Sequence, residues 1–174
     1  MDYSSIFKKY KKKPIFDKTS KTAEPVNYGL EDIFKLIPNR PPFIYLDKIT
    51  HIDIINETIC GNRLIDPNDP VFLGHFPGNP VYPGVLQLEI ISELFCCLYY
   101  FMSNNTHLIT NSNPVNLRAT RMYECVLQKG VFPGDLLQIS TKLIENNNLT
   151  FTGLGQITRD DEICVTVIGE FYII

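Results

Sequence analysis

Residues 84–102 read Gly84-Val-Leu-Gln-Leu-Glu-Ile-Ile-Ser-Glu-Leu-Phe-Cys-Cys-Leu-Tyr-Tyr-Phe-Met102, nineteen residues without Pro or a second Gly. Pro83 stands just before this run, where the missing backbone N–H costs a helix nothing. Apolar residues cover almost the whole circumference of such a helix, which is typical of a helix wrapped on all sides. Glu89 and Glu93 argue against a membrane span, because carboxylates are costly in lipid. The run therefore predicts one long, buried core helix.

The segments on either side of this helix have mostly strand character. After it come four β-branched or aromatic runs, at residues 122–127, 136–144, 149–158 and 163–174. Before it, the same character appears at residues 43–46, 49–55 and 58–64. Residues 30–37 instead show the i, i+3, i+4, i+7 apolar spacing of a short amphipathic helix. The pattern predicts an α+β domain in which a largely antiparallel sheet curves round the long helix.

Charge is unevenly distributed along the chain. The 174 residues contain 16 Lys+Arg and 19 Asp+Glu, a formal net charge of −3, and this lacks the basic excess of a nucleic-acid-binding protein. Residues 1–25 hold seven Lys and three acidic residues, which leaves −7 for the remaining 149. This asymmetry predicts a flexible, solvated Lys-rich arm at residues 1–25 and a single domain at residues 26–174. No apolar segment follows the Lys cluster, so the arm is not a signal peptide.

The cysteines and histidines restrict the chemistry further. Five Cys form no CxxC pair, which favours a reducing cytoplasm over a disulfide framework or a zinc site. The three His are scattered along the chain, so the sequence offers few ligands for a metal centre.

One stretch combines groups that suit acid–base chemistry: His75-Phe-Pro-Gly-Asn-Pro-Val-Tyr-Pro-Gly-Val-Leu-Gln-Leu-Glu89. His75 stands in a stiff Pro/Gly loop and titrates near neutrality. Glu89 falls in the second turn of the apolar helix, where desolvation should raise its pKa and keep a proton on it. Between them, the N–H groups of the helix start at Gly84 favour a developing oxyanion. Alone, each residue has an ordinary structural explanation, but together they suggest proton abstraction next to a carbonyl with an acid-assisted leaving group.

This stretch resembles the active-site segment of the FabZ-type β-hydroxyacyl-acyl-carrier-protein dehydratases. Two other segments agree in order and spacing. Leu36-Ile-Pro-Asn-Arg-Pro-Pro-Phe-Ile-Tyr-Leu-Asp47 resembles the family's opening helix and first strand, and Lys129-Gly-Val-Phe-Pro-Gly-Asp135 resembles its basic residue and PGD turn. The resemblance covers residues 30–174 and implies a hot-dog fold, a curved antiparallel sheet wrapped around the helix at about 84–102.

The resemblance also implies roles for individual residues. His75 would remove the α-proton of a β-hydroxyacyl thioester, and Glu89 would protonate the departing hydroxyl. The N–H of Gly84 would hold the thioester oxygen. The oxyanion and substrate-binding set comprises Gly84, Val85, Phe76 and Pro83. The reaction requires no metal and no organic cofactor.

The family's assembly implies the partners of this chain. Its members pair as homodimers, often as trimers of dimers, with the acyl tunnel at the dimer interface and the His of one subunit facing the Glu of the other. The acyl group arrives on the phosphopantetheine arm of an acyl carrier protein. The basic Lys8–Lys13 cluster could assist docking of that acidic carrier.

Several positions depart from the family's usual pattern. Asn39 stands where a His is usual, at a position outside the catalytic pair. Ile90 and Glu93 replace a small Ala and a Gln, and Gln128-Lys129 replaces a basic pair. These changes affect the expected substrate range more than the reaction type, so fatty-acid synthesis and a specialised lipid or polyene pathway both remain open. Glu89 argues against the isomerising activity of the FabA-type enzymes, which usually have Asp at the acid position.

Two other functions remain as alternatives at this point. A hot-dog thioesterase needs a carboxylate and a water but not the His75–Glu89 pairing. A non-catalytic partner that binds an acyl carrier protein or a catalytic subunit has no physical need for either residue. Retention of both residues favours the dehydratase, a hydro-lyase.

Overall fold

The structure is a computed structural model that describes residues 2–17 and 19–174. Helix α1 spans Tyr3–Tyr10, α2 spans Leu30–Leu36 and α3 spans Gly84–Asn104, with a 3₁₀ turn at Pro70–Leu73. The strands are β1 (Glu24–Tyr28), β2 (Lys48–Asp53), β3 (Thr58–Leu64), β4 (Leu117–Leu127), β5 (Leu136–Asn146), β6 (Thr150–Arg159) and β7 (Glu162–Ile173).

All seven strands belong to one antiparallel sheet, which packs against α3. Their order is β1-β2-β3-β5-β6-β7-β4, so that β1 and β4 are the two edge strands. Apolar side chains of α3 and of the inner sheet face form the main core. The prediction of an α+β hot-dog fold around the long helix is confirmed.

Two glycines of β6 let α3 lie close to the middle of the sheet. A Cβ atom at Gly153 would come within 2.2 Å of the Phe95 ring, and one at Gly155 within 2.2 Å of Ile91 Cγ2. Real Cβ contacts do not occur at such distances, and this interior leaves no slack for an added methyl group. The inner face of the sheet is therefore shaped to accept the helix.

The predicted strand at residues 43–46 is wrong. These residues are irregular, and strand β2 begins only at Lys48. The backbone N–H groups of Tyr45 and Leu46 donate to the carboxylate of Glu93 instead of to a neighbouring strand. A polar side chain of the core helix has replaced the sheet as the acceptor, and hydrophobic patterning carries no signal of such a replacement.

Helix α3 is a core helix with one partly open stripe. It is long and apolar enough to cross a membrane, yet ten of its residues are buried inside the protein. The stripe consists of Val85, Leu88, Ser92, Cys96 and Tyr99, which are exposed or partly exposed. In the isolated chain the prediction of a helix wrapped on all sides therefore fails along this stripe.

The Lys-rich segment differs from the expected solvated arm. Helix α1 and the extended residues after it lie on the outer face of the sheet, where Phe7 and Ile15 bury against Leu154 and Ile168. The buried Gln156 side chain fixes the backbone there: it donates to the carbonyls of Tyr10 and Lys13, and its Oε1 accepts the N–H of Ile15.

The segment is amphipathic, so its high Lys content did not reveal that its apolar residues pack against the sheet. The side chains of Lys8, Lys9, Lys12 and Lys13 are exposed, while apolar residues between them face the sheet. Lys18, which belongs to the same Lys-rich segment, lies outside the described residues.

Candidate active site

The imidazole of His75 is held by a loop that closes on itself. The N–H of His75 donates to the Val71 carbonyl, and the N–H of Val81 donates to the His75 carbonyl, both at 3.0 Å. Ring atom Nδ1 lies 2.8 Å from the Val81 carbonyl oxygen. Because a carbonyl only accepts, Nδ1 carries the hydrogen, and the neutral ring then presents a free lone pair at Nε2. The loop thus orients the ring as a base.

Glu89 is a half-buried carboxyl group on the second turn of α3. Burial raises its pKa, while a hydrogen bond from Asn39 opposes that rise. The Asn39 Nδ2 atom lies 3.5 Å from Glu89 Oε1. A raised pKa increases the fraction of Glu89 that carries a proton near neutrality, as the sequence predicted and as a proton donor needs.

Glu93, one turn further along α3, is 2% exposed. Burial raises its pKa to about 7, against the opposing hydrogen bonds from the backbone of Tyr45 and Leu46, and the charge of Glu89 adds to the rise. Ionisation of Glu93 is therefore less favourable when Glu89 is charged.

The start of α3 provides backbone donors. The first hydrogen bonds of the helix are donated by Leu86 and Gln87 to the Pro83 carbonyl, so the N–H groups of Gly84 and Val85 precede them in the first turn. A Cβ at Gly84 would come within 2.4 Å of Leu127 Cδ1, so the glycine also permits a close contact with β4. The packing contact alone is sufficient to explain a glycine at this position.

The predicted substrate-binding residues differ in exposure. Pro83 is buried, whereas Val85 is 72% exposed and Phe76 is 54% exposed. The Phe76 ring stacks on the imidazole of His75, with 4.1 Å between the ring centroids. Exposed apolar side chains beside a candidate base suit a surface that another molecule covers.

Two cavities lie between α3 and the strands β4 and β7. The first, of about 190 Å³, contains the carboxyls of Glu89 and Glu93 and is also lined by Asn39, Ser92, Cys96, Leu117, Arg118, Ala119 and Phe171. The second, of about 230 Å³, is mostly apolar and shares Ser92, Ala119 and Phe171 with the first. Together they provide a polar chamber with an apolar extension.

His75 lines neither of these two cavities among the residues that the structure describes. Within one chain the predicted base thus lies outside the cavity that contains the predicted acid. The structure brings Glu89 and Glu93 together, but not His75 and Glu89.

Sequence reasoning missed the involvement of Asn39. The sequence analysis placed it outside the catalytic pair, yet its side chain bridges Glu89 and Glu93. It is fifty residues away from Glu89 along the chain, so no local spacing could have linked the two.

A larger cavity, of about 520 Å³, lies elsewhere. It is formed on the outer sheet face by the N-terminal segment, with Tyr10, Lys13 and Phe16 on one side and Gln138, Gln156 and Asp161 on the other. None of the predicted catalytic residues lines it. It therefore does not contribute to the proposed acid–base chemistry.

Comparison with known proteins identifies relatives over most of the chain. The family described as "FabA-like domain" matches residues 37–168. The 3-hydroxyacyl-[acyl-carrier-protein] dehydratase FabZ of Ehrlichia ruminantium (strain Gardel) is 34% identical over 125 residues, which cover 72% of this chain and 82% of the relative. The enzyme of the same name from Sulfurimonas denitrificans is 35% identical over 131 residues, with coverage of 75% and 86%.

Solved structures agree with the fold. The dehydratase heterocomplex ApeI:P from Xenorhabdus doucetiae superposes with a TM-score of 0.63 at 13% identity, covering 82% of this chain and 90% of the other. A hypothetical thioesterase with coenzyme A from Streptococcus pneumoniae gives 0.53 at 8% identity, with coverage of 68% and 80%. At such low identity these likenesses bear on the fold alone. The matched residues and the FabZ relatives together establish that this chain belongs to the FabA-like domain family.

Proposed function

We propose that this protein dehydrates a β-hydroxyacyl thioester carried on acyl carrier protein to the trans-2-enoyl thioester, as a hydro-lyase of fatty-acid or related lipid synthesis. Relatives named 3-hydroxyacyl-[acyl-carrier-protein] dehydratase cover about three quarters of the chain. The observation that carries the proposal is Glu89, a half-buried carboxyl with a raised pKa at a cavity that continues into an apolar one.

The reaction divides between a base and an acid. Nε2 of His75 takes the α-proton, and the electron pair of that C–H bond moves toward the thioester carbonyl, whose oxygen the Gly84 N–H stabilises. The C–O bond at the β-carbon then breaks, and Glu89 gives its proton to the departing hydroxyl, which leaves as water. His75 ends protonated and Glu89 ionised, and a proton returned through solvent restores both.

Val85 and Phe76, both exposed and apolar, and Pro83 would border the thioester beside Gly84. The apolar cavity next to Glu89, with Leu88, Ile91 and Phe95 in its wall, would accept the acyl chain. No metal or organic cofactor enters these steps.

A second copy of the chain would complete the site. Within one chain His75 lies outside the two cavities at Glu89, and the edge strand β4 is largely exposed, with Met122 and Leu127 about half exposed. An exposed edge strand presents unpaired backbone N–H and C=O groups that can pair with another chain. A copy paired along β4 would lie next to Leu117–Ala119, which form part of the wall of the Glu89 cavity. We therefore propose a homodimer, for which the family pattern suggests a trimer of dimers. The location we propose is the cytoplasm, because a reducing compartment keeps free cysteines such as these reduced.

The test is a product analysis by mass. The purified protein is mixed with β-hydroxyacyl and enoyl thioesters of several chain lengths on acyl carrier protein. Loss or gain of one water, absent in the His75→Ala variant, is the expected result. Free acid and free thiol would instead assign a thioesterase, an activity that no residue of this site specifically favours. Absence of any change would leave a non-catalytic partner.

The matched control for His75→Ala is His51→Ala. His51 lies on β2, packs its ring against Phe16 on the outer sheet face, and lines neither cavity at Glu89. The proposal expects this variant to keep the parent rate.

A further inference from the structure

The polar residues around Glu89 form a connected network that the proposed reaction does not itself use. We propose that Asn39 is a positioning residue for Glu89, and that Glu93 holds Asn39 in place. This inference rests on the proposed function, since it concerns how the proton donor of that reaction is oriented. Neither Asn39 nor Glu93 takes part in the chemical steps.

The amide of Asn39 lies between the two acids. Its Nδ2 atom is 3.5 Å from Glu89 Oε1 and 3.4 Å from Glu93 Oε1. An amide nitrogen carries two hydrogens, so it can donate one to each carboxyl group. Both contacts are long, and catalytic hydrogen bonds are often long without substrate and tighten when substrate binds.

Glu93 is the fixed end of the network. Its carboxylate accepts the N–H of Tyr45 at 3.1 and 3.0 Å and the N–H of Leu46 at 2.7 Å. Backbone N–H groups have no side-chain rotamers, so these hydrogen bonds fix the orientation of the Glu93 carboxylate in the core. The chain between Asn39 and Leu46 is thereby tied to α3.

The backbone at Asn39 is held from the other side by Arg40. The guanidinium donates to the carbonyls of Phe34, Ile37 and Asn39 at 2.7 to 3.0 Å. It also stacks over the Phe34 ring, 4.6 Å from the centroid. The amide of Asn39 is therefore presented from a braced loop to a carboxyl on a packed helix.

This bracing has a consequence for the reaction. Asn39 engages Oε1 of Glu89, which leaves Oε2 to carry the proton for the departing hydroxyl. Without the amide, the Glu89 carboxyl can rotate about its terminal torsion, and it also loses the hydrogen bond that lowers its pKa. Among the described residues, the other ionisable groups that interact with one or both acids or line their cavity are Tyr45, Arg63, Tyr82, Cys96, Cys97 and Arg118.

The experiment compares Asn39→Ala with Asn113→Ala, an exposed Asn in the loop before β4. The carboxyl carbon of Glu89 is followed by ¹³C NMR across pH in each protein and assigned with Glu89→Gln. The dependence of kcat and KM on pH is measured in parallel. The inference expects Asn39→Ala to raise the pKa of Glu89 and to lower kcat at least tenfold with little change in KM. Asn113→Ala should match the parent.

Two further variants separate positioning from general damage. Asn39→His keeps an N–H donor and should recover part of kcat and of the Glu89 titration. Glu93→Gln should keep the fold, because its amide oxygen still accepts from Tyr45 and Leu46, and should weaken the hold on Asn39 and so reduce kcat less than Asn39→Ala.

An unmoved Glu89 titration in Asn39→Ala, with kcat within twofold of the parent, would overturn the inference. An equal loss in Asn39→His and Asn39→Ala would also contradict it. Failure of the proposed function would look different: the parent protein would turn over no thioester, while the Glu89 titration would still report whether Asn39 acts on it.

Discussion

Two nearly fully buried carboxylates in this protein have pKa values that move in opposite directions. Glu93, at the cavity on α3, is 2% exposed, and Asp53, at the end of β2, is 1% exposed. Burial raises the pKa of Glu93 to about 7. Burial would also raise the pKa of Asp53, but hydrogen bonds from Asn56, Thr22 and Ser20 outweigh it and lower the pKa to about 2.

The difference lies in the supply of donors and the presence of a like charge. Asp53 accepts the N–H and the side-chain amide of Asn56 together with the hydroxyls of Thr22 and Ser20, at 2.6 to 2.9 Å. Glu93 accepts two backbone N–H groups and the long Asn39 contact, and it faces Glu89. Burial alone does not set a protonation state. Glu93, which has fewer donors than Asp53 and a like charge beside it, is the one suited to hold a proton near neutrality.

Of the changes tested here, removal of the acidic proton of Glu89 should have the largest effect, and that effect is on turnover. Glu89→Gln should slow turnover by about 10²- to 10⁴-fold, because the hydroxyl loses its proton donor. Its melting temperature should stay equal or rise, since a partly buried acid is replaced by a neutral group of the same shape. Steady-state kinetics and thermal unfolding check both. A large fall in melting temperature would instead assign Glu89 a structural role.

Asp53→Asn tests the second carboxylate, whose ionised form is stabilised by hydrogen bonds. A pKa of about 2 in place of 3.8 corresponds to about 2 kcal/mol of stability near neutral pH. Because the folded-state pKa is lowered, this contribution is present above the unfolded pKa and is lost as pH falls from about 4 to about 2. Urea unfolding at several pH values should show the variant less stable at pH 7 and equal to the parent near pH 2.

The matched control for Asp53→Asn is Glu31→Gln, an exposed carboxyl in the first turn of α2. It should leave the parent's acid profile unchanged. A parallel loss of stability at all pH values in Asp53→Asn would contradict the assignment.

Glu93→Gln should give the opposite dependence on pH. Because the folded-state pKa of Glu93 is raised, folding favours its protonated form, and the parent loses stability as pH rises from about 4.5 to about 7. The variant lacks this group, so its stability relative to the parent should increase over that interval and then level off. The same unfolding series measures it, and a constant difference from pH 4.5 to 7 would show that burial does not hold a proton on Glu93.

The smallest effect concerns the thiol beside the two acids. Burial, with the charges of Glu89 and Glu93, raises the pKa of Cys96 to about 12. Alkylation of Cys96 by iodoacetamide between pH 7 and 9 should therefore be slow and should increase severalfold in Glu93→Gln. Peptide mapping by mass follows this, with the same Cys96 peptide from urea-unfolded protein as the reference. Rapid labelling of Cys96 in the parent would show that the cavity is more polar and open than described.

The sequence predicted the features that depend on residues close together along the chain. The apolar run after Pro83 predicted α3, although the helix continues to Asn104, where Asn105 ends it in the left-handed conformation. The Pro/Gly loop and the helical position of Glu89 predicted a held imidazole and an acid with a raised pKa.

The remaining features depend on contacts between distant segments. Nothing near Tyr45 shows that a Glu forty-eight residues away will accept its N–H and remove the predicted strand. Likewise, the Lys content of residues 1–25 concealed Phe7 and Ile15, whose burial depends on Gln156 and Leu154 far along the chain.

In the proposed reaction His75 of one subunit acts together with Glu89 of another. The direct test mixes His75→Ala and Glu89→Gln protomers under conditions of subunit exchange and measures dehydration. Each variant alone should be nearly inactive. In a symmetric dimer a mixed pair keeps one intact site, so random exchange should restore roughly a quarter of the parent activity. Exchange that is verified by mass and restores no activity would contradict a site shared between subunits.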